Sequence, residues 1–386
     1  MIPVNEPLLN GNEKKYLNEC IDTGWISSEG PFVQRFENEM AEFVGRKHAI
    51  AVTNGTAALE MAVTALELKH GDEVIMPSFT IISCAQALVK AGVTPVLIDC
   101  EYDTFNMQIQ HIESKITPQT KAIMVVHIYG LPVDMDPVLQ IAKKYRLKII
   151  EDAAEMHGQT YKGKPCGSFG DISIFSFYPN KHITTGEGGM VLTDDDSLAQ
   201  RCESLRNLCF NNQKRFIHEE LGWNLRMTNL QAAVGVAQLE RIDEFVAKKR
   251  WIGNTYQNLL SDIEAITLPV RRKEFAENIY WVFPIVLDDK HPKNANDIMK
   301  ELGTRGIGTR PFFYPMHLQP VFRDAGCEVV GGAVAEALFR DGLTHVMFQY
   351  VHAAHASRAG GFAARGRLVG MLLLGIFLRG EYAAGL

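Results

Sequence analysis

The chain reads as an α/β protein: one large domain on a mainly parallel sheet, followed by a smaller α+β domain. Three observations carry this reading. From residue 48 to about residue 193, short apolar runs rich in β-branched residues alternate with helical patterns. Those runs are apolar almost throughout, not at every second position, which marks strands covered on both faces. Past residue 250 the alternation gives way to a strand, a helix and a strand of different texture.

Taken in order, "HAIAVTNGT" is a strand ending in a glycine turn, and "AALEMAVTALEL" is the amphipathic helix that turn opens. "DEVIMPS", "TPVLIDC", "KAIMVVHIYG", "LKIIEDAAE", "DISIFSF" and "GGMVLTDD" follow as strands, which makes seven, with helices such as "MDPVLQIAKKYR" between several of them. Ligands of such sheets gather at the carboxyl ends of the strands. A long helical pattern from "NLQAAVGVAQLERIDEFVAKKR" to about Ser261 leads to the second unit, where "IYWVFPIVL", "NANDIMKELGTRGI" and "TRPFFYP" are strand, helix and strand. The expected division is 1–250 for the large domain with its N-terminal segment, 251–343 for the smaller one, and 344–386 for an atypical tail. That tail is rich in Ala, Gly and Arg, and no lysine or asparagine occurs after Lys300. Either it packs by other rules or it is foreign to the parent sequence, as a shifted reading frame would leave it.

Composition narrows the function. With 46% apolar and 22% charged residues and a net charge of −6, nothing favours nucleic acid or an anionic membrane as partner. Seven scattered cysteines without a CxxC pair argue against a disulfide framework or a zinc site, so no metal is expected and a reducing compartment fits. The N-terminus has no apolar signal core, and the apolar run 368–378 is about half of a membrane span of roughly 20 residues. The cytoplasm is the expected location.

Chemistry concentrates in a few residues. Asp152 ends an apolar strand, where a buried carboxylate is costly unless it meets a cation or donors. It is either a cap for the next segment or the partner of a protonated ring nitrogen. Gly55 and Thr56 stand where a strand turns into a helix, a place suited to phosphate, although Thr56 would serve equally as an N-cap. Ser176 offers another hydroxyl five residues before Lys181. Lys181 sits in "SFYPNKHITTGEGGM", the most glycine-rich stretch of the chain. It is a solvated loop lysine or an amine joined to a flat cofactor, with glycines letting the backbone approach the ring. Helix-start phosphate site, ring-nitrogen aspartate, then serine and lysine about thirty residues on: this is the order used by fold-type I enzymes dependent on pyridoxal 5'-phosphate. No GxGxxG follows the first strand, so a dehydrogenase reading fails, and "TTGEGGM" is not a GxxxxGK[ST] loop.

Several stretches then match one family in order: "GWISSEGPFVQRFENEMAEFVG", "TNGTAALEMAV", "GDEVIMPSFT", "HIYGLPVDMDP", "IEDAAE", "FSFYPNKHITTGEGGM" and "NLRMTNLQAAVGVAQLERID". From its N-terminus to about residue 343 the chain resembles the DegT/DnrJ/EryC1/StrS sugar aminotransferases. The resemblance implies the fold-type I architecture and transfer of an amino group from glutamate to the keto carbon of a nucleotide-linked 4-keto-6-deoxy sugar. Within the family, "GWISS", the spacing around Lys181 and "RMTNLQAA" most resemble members that aminate GDP-4-keto-6-deoxymannose to GDP-perosamine, which implies that acceptor and product; a UDP- or dTDP-linked sugar is the alternative, and a non-catalytic binding protein of the same fold the other. It also implies pyridoxal phosphate as cofactor, with the pyridoxamine form between the two half-reactions. Lys181 would be joined to the cofactor and later move the proton, and Asp152 would hold the ring nitrogen protonated. Glu155 would lie near the phenolic oxygen, and Gly55, Thr56 and Ser176 would bind the phosphate. Asn224 would reach the phosphate of a neighbouring subunit, making a homodimer with shared sites. His317 and Arg310 would line the sugar pocket. Two departures stand out. Ile81 occupies the place of a ring-stacking aromatic, and the usual final stretch is missing after Leu343. Relatives that act as dehydratases carry histidine in place of the lysine; here Lys181 is present, with His182 beside it.

Overall fold

The computed structural model describes residues 3–210, 216–288, 291–322 and 329–345. Two helices come first, α1 (Glu13–Thr23) and α2 (Pro31–Val44), each closed by a glycine in the left-handed region, Gly24 (φ 75°) and Gly45 (φ 74°). The α/β alternation follows as β1 (His48–Val52), α3 (Gly55–Ala65), β2 (Glu73–Pro77), α4 (Ile82–Lys90), β3 (Thr94–Ile98), β4 (Thr120–Val126), α5 (Met135–Tyr145) and β5 (Lys148–Asp152). A small hairpin, β6 (Thr160–Tyr161) with β7 (Lys164–Pro165), precedes β8 (Ile172–Ser176), β9 (Gly189–Thr193) and α6 (Asp196–Arg206).

The seven strands expected from the sequence all form and share one sheet. Its order is β1-β9-β8-β5-β4-β2-β3, with β9 alone antiparallel to its neighbours. An eighth strand, β15 (Val329–Val330), extends the far edge by pairing parallel with β3. Two residues leave no readable pattern, which is why the sequence did not announce it.

Alternate residues of each strand face opposite layers, as the two-residue period requires. Ala51, Ile75, Ile98, Ile123 and Ile149 pack with α1, α2, α5 and α7 (Asn229–Leu239). Ile50, Val74, Leu97, Met124 and Ile150 pack with α3, α4 and α6 on the other face. Both faces are therefore dry, which explains the uninterrupted apolar runs.

The single helical pattern expected from Asn229 to about Ser261 is two helices, α7 and α8 (Ile242–Leu260). Arg241 leaves the helical region (φ −123°, ψ 15°) at the joint. Glu240 accepts from the Tyr16 hydroxyl (2.6 Å) and the Asn12 amide (2.7 Å), and Arg241 reaches Asn10, so contacts to the N-terminal segment fix the bend. From α8 the chain enters a second unit: β10 (Ile266–Thr267), the hairpin β11 (Arg272–Lys273) and β12 (Ala276–Glu277), β13 (Phe283–Leu287), α9 (Ala295–Thr304), β14 (Thr309–Pro311), α10 (Ala333–Asp341) and β16 (Gly342–His345). Its four-stranded sheet runs β10-β13-β16-β14. A third apolar cluster joins Ile252, Tyr256 and Leu260 of α8 to Phe283, Ile285 and Leu343. Residues 344 and 345, expected to begin the tail, complete β16; residues 346–386 and Cys327 lie outside the described residues.

Asp99, just after β3, accepts from the backbone N–H groups of Gly332 (2.7 Å), Val334 (3.0 Å) and Ala335 (2.9 Å), binding the start of α10 to the large sheet. Among the described residues, no helix is long and apolar enough to cross a membrane, and no group of His, Cys, Asp and Glu is placed to hold a metal ion.

Candidate active site

A cavity of about 680 Å³ opens where β1, β5 and β8 end and α3 and α4 begin. Gly55, Thr56, Ile81, Asp152, Glu155, Ser176 and Lys181 all line it. These seven residues span more than 120 positions of sequence, and the parallel sheet brings them to one end, as its topology demands.

The α3 terminus forms one wall. Asn54 is its N-cap, accepting the Ala57 N–H at 2.8 Å, so Thr56 is not the cap that its position also allowed. The Thr56 hydroxyl instead pairs with that of Ser83 at 2.8 Å. The N–H groups of Gly55 and Thr56, first in the helix, have no intrahelical acceptor. Gly55 is required here, because a Cβ would stand 2.8 Å from Ser176 Cβ. The glycines after Lys181 have a related purpose. A Cβ on Gly189 would meet the Asn54 carbonyl oxygen at 2.3 Å, and one on Gly188 the Thr185 hydroxyl at 2.1 Å. Gly189 lets the start of β9 pack against the α3 turn, and Gly188 lets the lysine loop close on its own Thr185.

Two acidic neighbours at the end of β5 meet different fates. Glu151, on the far face, accepts from His127 (3.1 Å), Phe169 N–H (2.8 Å), Gly167 N–H and Gly170 N–H. Burial would raise its pKa, yet these donors bring it below the usual range. Asp152 faces the cavity and accepts from the Ala154 N–H (3.0 Å) and the Cys84 thiol (3.3 Å). Burial holds its pKa above the usual range. A carboxylate so placed has acceptor capacity left for one more donor from the cavity.

Lys181 lies on the turn after β8, its N–H bonded to the Tyr178 carbonyl at 2.9 Å. Its Nζ is 3.9 Å from Glu155 Oε1 and 4.0 Å from the centroid of the Trp281 ring. Burial lowers the amine's pKa, against the pull of Glu155, Asp152 and Cys84. Glu155 is fixed by the Tyr129 N–H, 2.7 Å from Oε2, and burial raises its pKa. Tyr129 reaches it from a left-handed backbone conformation (φ 58°).

The donor set fits pyridoxal phosphate: helix-start N–H groups and hydroxyls for a phosphate, a buried carboxylate for a ring nitrogen, and a desolvated amine for an aldehyde. Ile81, at the N-cap position of α4 and 45% exposed, offers an aliphatic surface to the cavity.

Other expected residues lie elsewhere. His317 is bonded to Ser78 (2.7 Å) and Glu336 (3.0 Å) and does not line the cavity; Phe313 of the same stretch does. Arg310 is exposed on β14, its guanidinium donating to the Thr309 carbonyl. Asn224 is exposed and bridges to Asn207, outside its own chain's cavity, although Leu225 lines it. The sequence reading missed Asn54, Ser83, Cys84 and Trp281. Of these, only the N-cap pattern of Asn54 before a helix was a local signal.

Residues 7–358 match the model of the DegT/DnrJ/EryC1/StrS aminotransferase family. The chain is 43% identical over 342 residues to GDP-perosamine synthase of Caulobacter vibrioides, covering 89% of this chain and 92% of that protein. The enzyme of the same name from Vibrio cholerae is 43% identical over 323 residues, covering 83% and 87%. Among solved structures, S. venezuelae DesV in complex with a ketimine intermediate superimposes with a TM-score of 0.81 at 30% identity, over 93% of this chain and 94% of that one.

Proposed function

Because the chain belongs to the DegT/DnrJ/EryC1/StrS aminotransferase family, we propose that it moves an amino group from glutamate to the keto carbon of GDP-4-keto-6-deoxymannose, giving GDP-perosamine. The name shared by the two relatives at 43% identity supports the acceptor. The observation that carries the reaction type is the buried Lys181 amine, set in one cavity with Asp152, Glu155 and the α3 terminus.

Pyridoxal phosphate, when bound, supplies an aldehyde carbon for amines and a conjugated ring that delocalises the electron pair released in the transfer. The protein's residues divide the remaining work. The N–H groups of Gly55 and Thr56, with the hydroxyls of Thr56 and Ser176, bind the phosphate, aided by the positive end of α3. Asp152 keeps the proton on the ring nitrogen. Lys181 Nζ would be the amine joined to the cofactor, burial favouring its neutral, nucleophilic form. Once displaced, the same Nζ takes up and returns the proton that transamination moves. Glu155 orients from 3.9 Å, held still by the Tyr129 N–H.

The active unit in this reading is a homodimer, with Asn224 of one copy reaching the phosphate in the other; its exposure away from its own cavity supports this. The six described cysteines, all unpaired and buried, support a reducing, cytoplasmic setting.

The test is to incubate the cofactor-loaded protein and glutamate with GDP-, UDP- and dTDP-linked 4-keto-6-deoxy sugars in turn. The amino sugar, detected by mass spectrometry, is expected from the GDP sugar. Product from another nucleotide alone would refute the acceptor, and no 2-oxoglutarate with any sugar would refute the transfer itself.

A further inference from the structure

We propose that the indole face of Trp281 holds the Lys181 amino group whenever that amine is not joined to the cofactor, and so sets how readily it carries a proton. The proposal rests on the reaction proposed above. Trp281 precedes β13, so it arrives from the second unit, and it is 7% exposed. Its ring centroid lies 4.0 Å from Lys181 Nζ, within the range of a cation–π contact.

The ring is held by two contacts, and the backbone of the same residue by a third. Its Nε1–H donates to the Asn180 carbonyl at 2.8 Å, which ties the indole to the residue immediately before Lys181. Its own carbonyl accepts from the buried Lys249 ammonium at 3.1 Å. Its face stacks on Tyr129, centroids 6.1 Å apart and planes 28° apart. Tyr129 in turn is the residue whose N–H fixes Glu155. The indole therefore cannot turn away without disturbing both the lysine loop and the carboxylate opposite.

The charged and titratable groups around the amine come from several elements. Glu155 and Asp152 follow and end β5, and Cys84 lies on α4; all three favour the ammonium. On the other side, burial keeps His157 and His182 neutral. Lys249, on α8, is occupied by the Trp281 carbonyl and by Asn5 at 3.4 Å. Burial disfavours the ammonium, which helps capture of an aldehyde and hinders return of a proton. The indole face favours the ammonium without adding a carboxylate that would compete with the substrate. Aldehyde capture and proton return ask opposite protonation states of one nitrogen, and Trp281 moves the balance between them.

The experiment compares wild type with Trp281→Phe and Trp281→Leu, each stripped of cofactor and checked for folding by circular dichroism. Pyridoxal phosphate is added across a pH series, and the rate at which the visible band of the lysine-linked cofactor appears gives the midpoint for Lys181. In parallel, a small amine-reactive reagent is applied to the cofactor-free proteins, and labelling of Lys181 is followed by peptide mass spectrometry. Trp281→Leu should lower both midpoints by about half to one pH unit, with Trp281→Phe in between. If Trp281→Leu does not fold, the Phe variant alone should still show the smaller downward shift. Equal midpoints across the folded proteins would overturn the proposal. A wild type that never develops the visible band would refute the cofactor reading instead, while the reagent labelling would still report on Trp281.

Discussion

The Lys249 ammonium, 1% exposed on α8, donates to the carbonyl oxygen of Trp281 at 3.1 Å, joining the helix that leads out of the large sheet to the segment before β13 whose indole lines the cavity. Burial lowers its pKa from 10.5 to about 7. A lysine depressed in this way binds fewer protons in the folded than in the unfolded chain between those two values. Its charged form costs stability below about pH 7, and that cost is relieved as the pH rises toward 10.5. We expect the stability of wild type relative to Lys249→Met to rise with pH in this window, by up to about 1.4 kcal/mol per pH unit. Urea unfolding of both proteins at pH 7.5, 8.5 and 9.5 measures it; a difference that stays flat would show that Lys249 remains fully charged.

Lys181→Ala removes the amine proposed to be joined to the cofactor. The visible band after reconstitution should be absent, and transfer should fall by about 10²–10⁴-fold through loss of proton transfer alone. Borohydride reduction of wild type followed by peptide mapping should place the pyridoxyl label on Lys181. A label on any other residue would contradict the site described here.

Much of this site was legible in the sequence because each member announces itself locally. Asp152 ends an apolar run, Gly55 and Thr56 stand at a strand-to-helix turn, and Ser176 and Lys181 lead into a glycine-rich loop. A parallel sheet then brings strand ends together without further instruction. Trp281 and Lys249 gave no such signal. An aromatic in an apolar run and a lysine in an amphipathic helix look ordinary until tertiary packing sets one over the Lys181 amine and buries the other. His317 and Arg310 show the converse, since a place near the right loop does not decide which way a side chain turns. His317 was taken by Ser78 and Glu336, both remote in sequence.

Gly55→Ala tests the phosphate wall. The new Cβ would press on Ser176 Cβ at 2.8 Å and on its hydroxyl at 3.1 Å, so either the α3 start or the end of β8 must shift. Pyridoxal phosphate should bind about tenfold more weakly, measured by fluorescence titration of the cofactor-free protein; an unchanged affinity would remove Ser176 from the phosphate site. Gly303→Ala is the control. It lies within α9 with nothing within 4 Å of the added Cβ, and should stabilise the fold by about 0.5–1 kcal/mol.

Asp152→Asn separates what the fold wants from what the chemistry wants. Burial raises the pKa of this carboxyl, so the folded chain holds its proton more tightly than the unfolded chain does. The stability it lends below the usual carboxylate range is therefore lost as the pH rises through its raised value. At neutral pH, without cofactor, the aspartate is a liability, and the asparagine variant should be the more stable protein by about 1 kcal/mol or more. With cofactor the order should reverse. Only the carboxylate can balance a protonated ring nitrogen, so the stabilisation gained on adding pyridoxal phosphate should shrink in the variant, and transfer should fall on the order of a hundredfold or more. Urea unfolding of both proteins with and without cofactor gives all four stabilities. A variant less stable than wild type in the cofactor-free state would mean that the Ala154 N–H and the Cys84 thiol already satisfy the carboxylate, and that Asp152 is placed for the fold and not for a ligand.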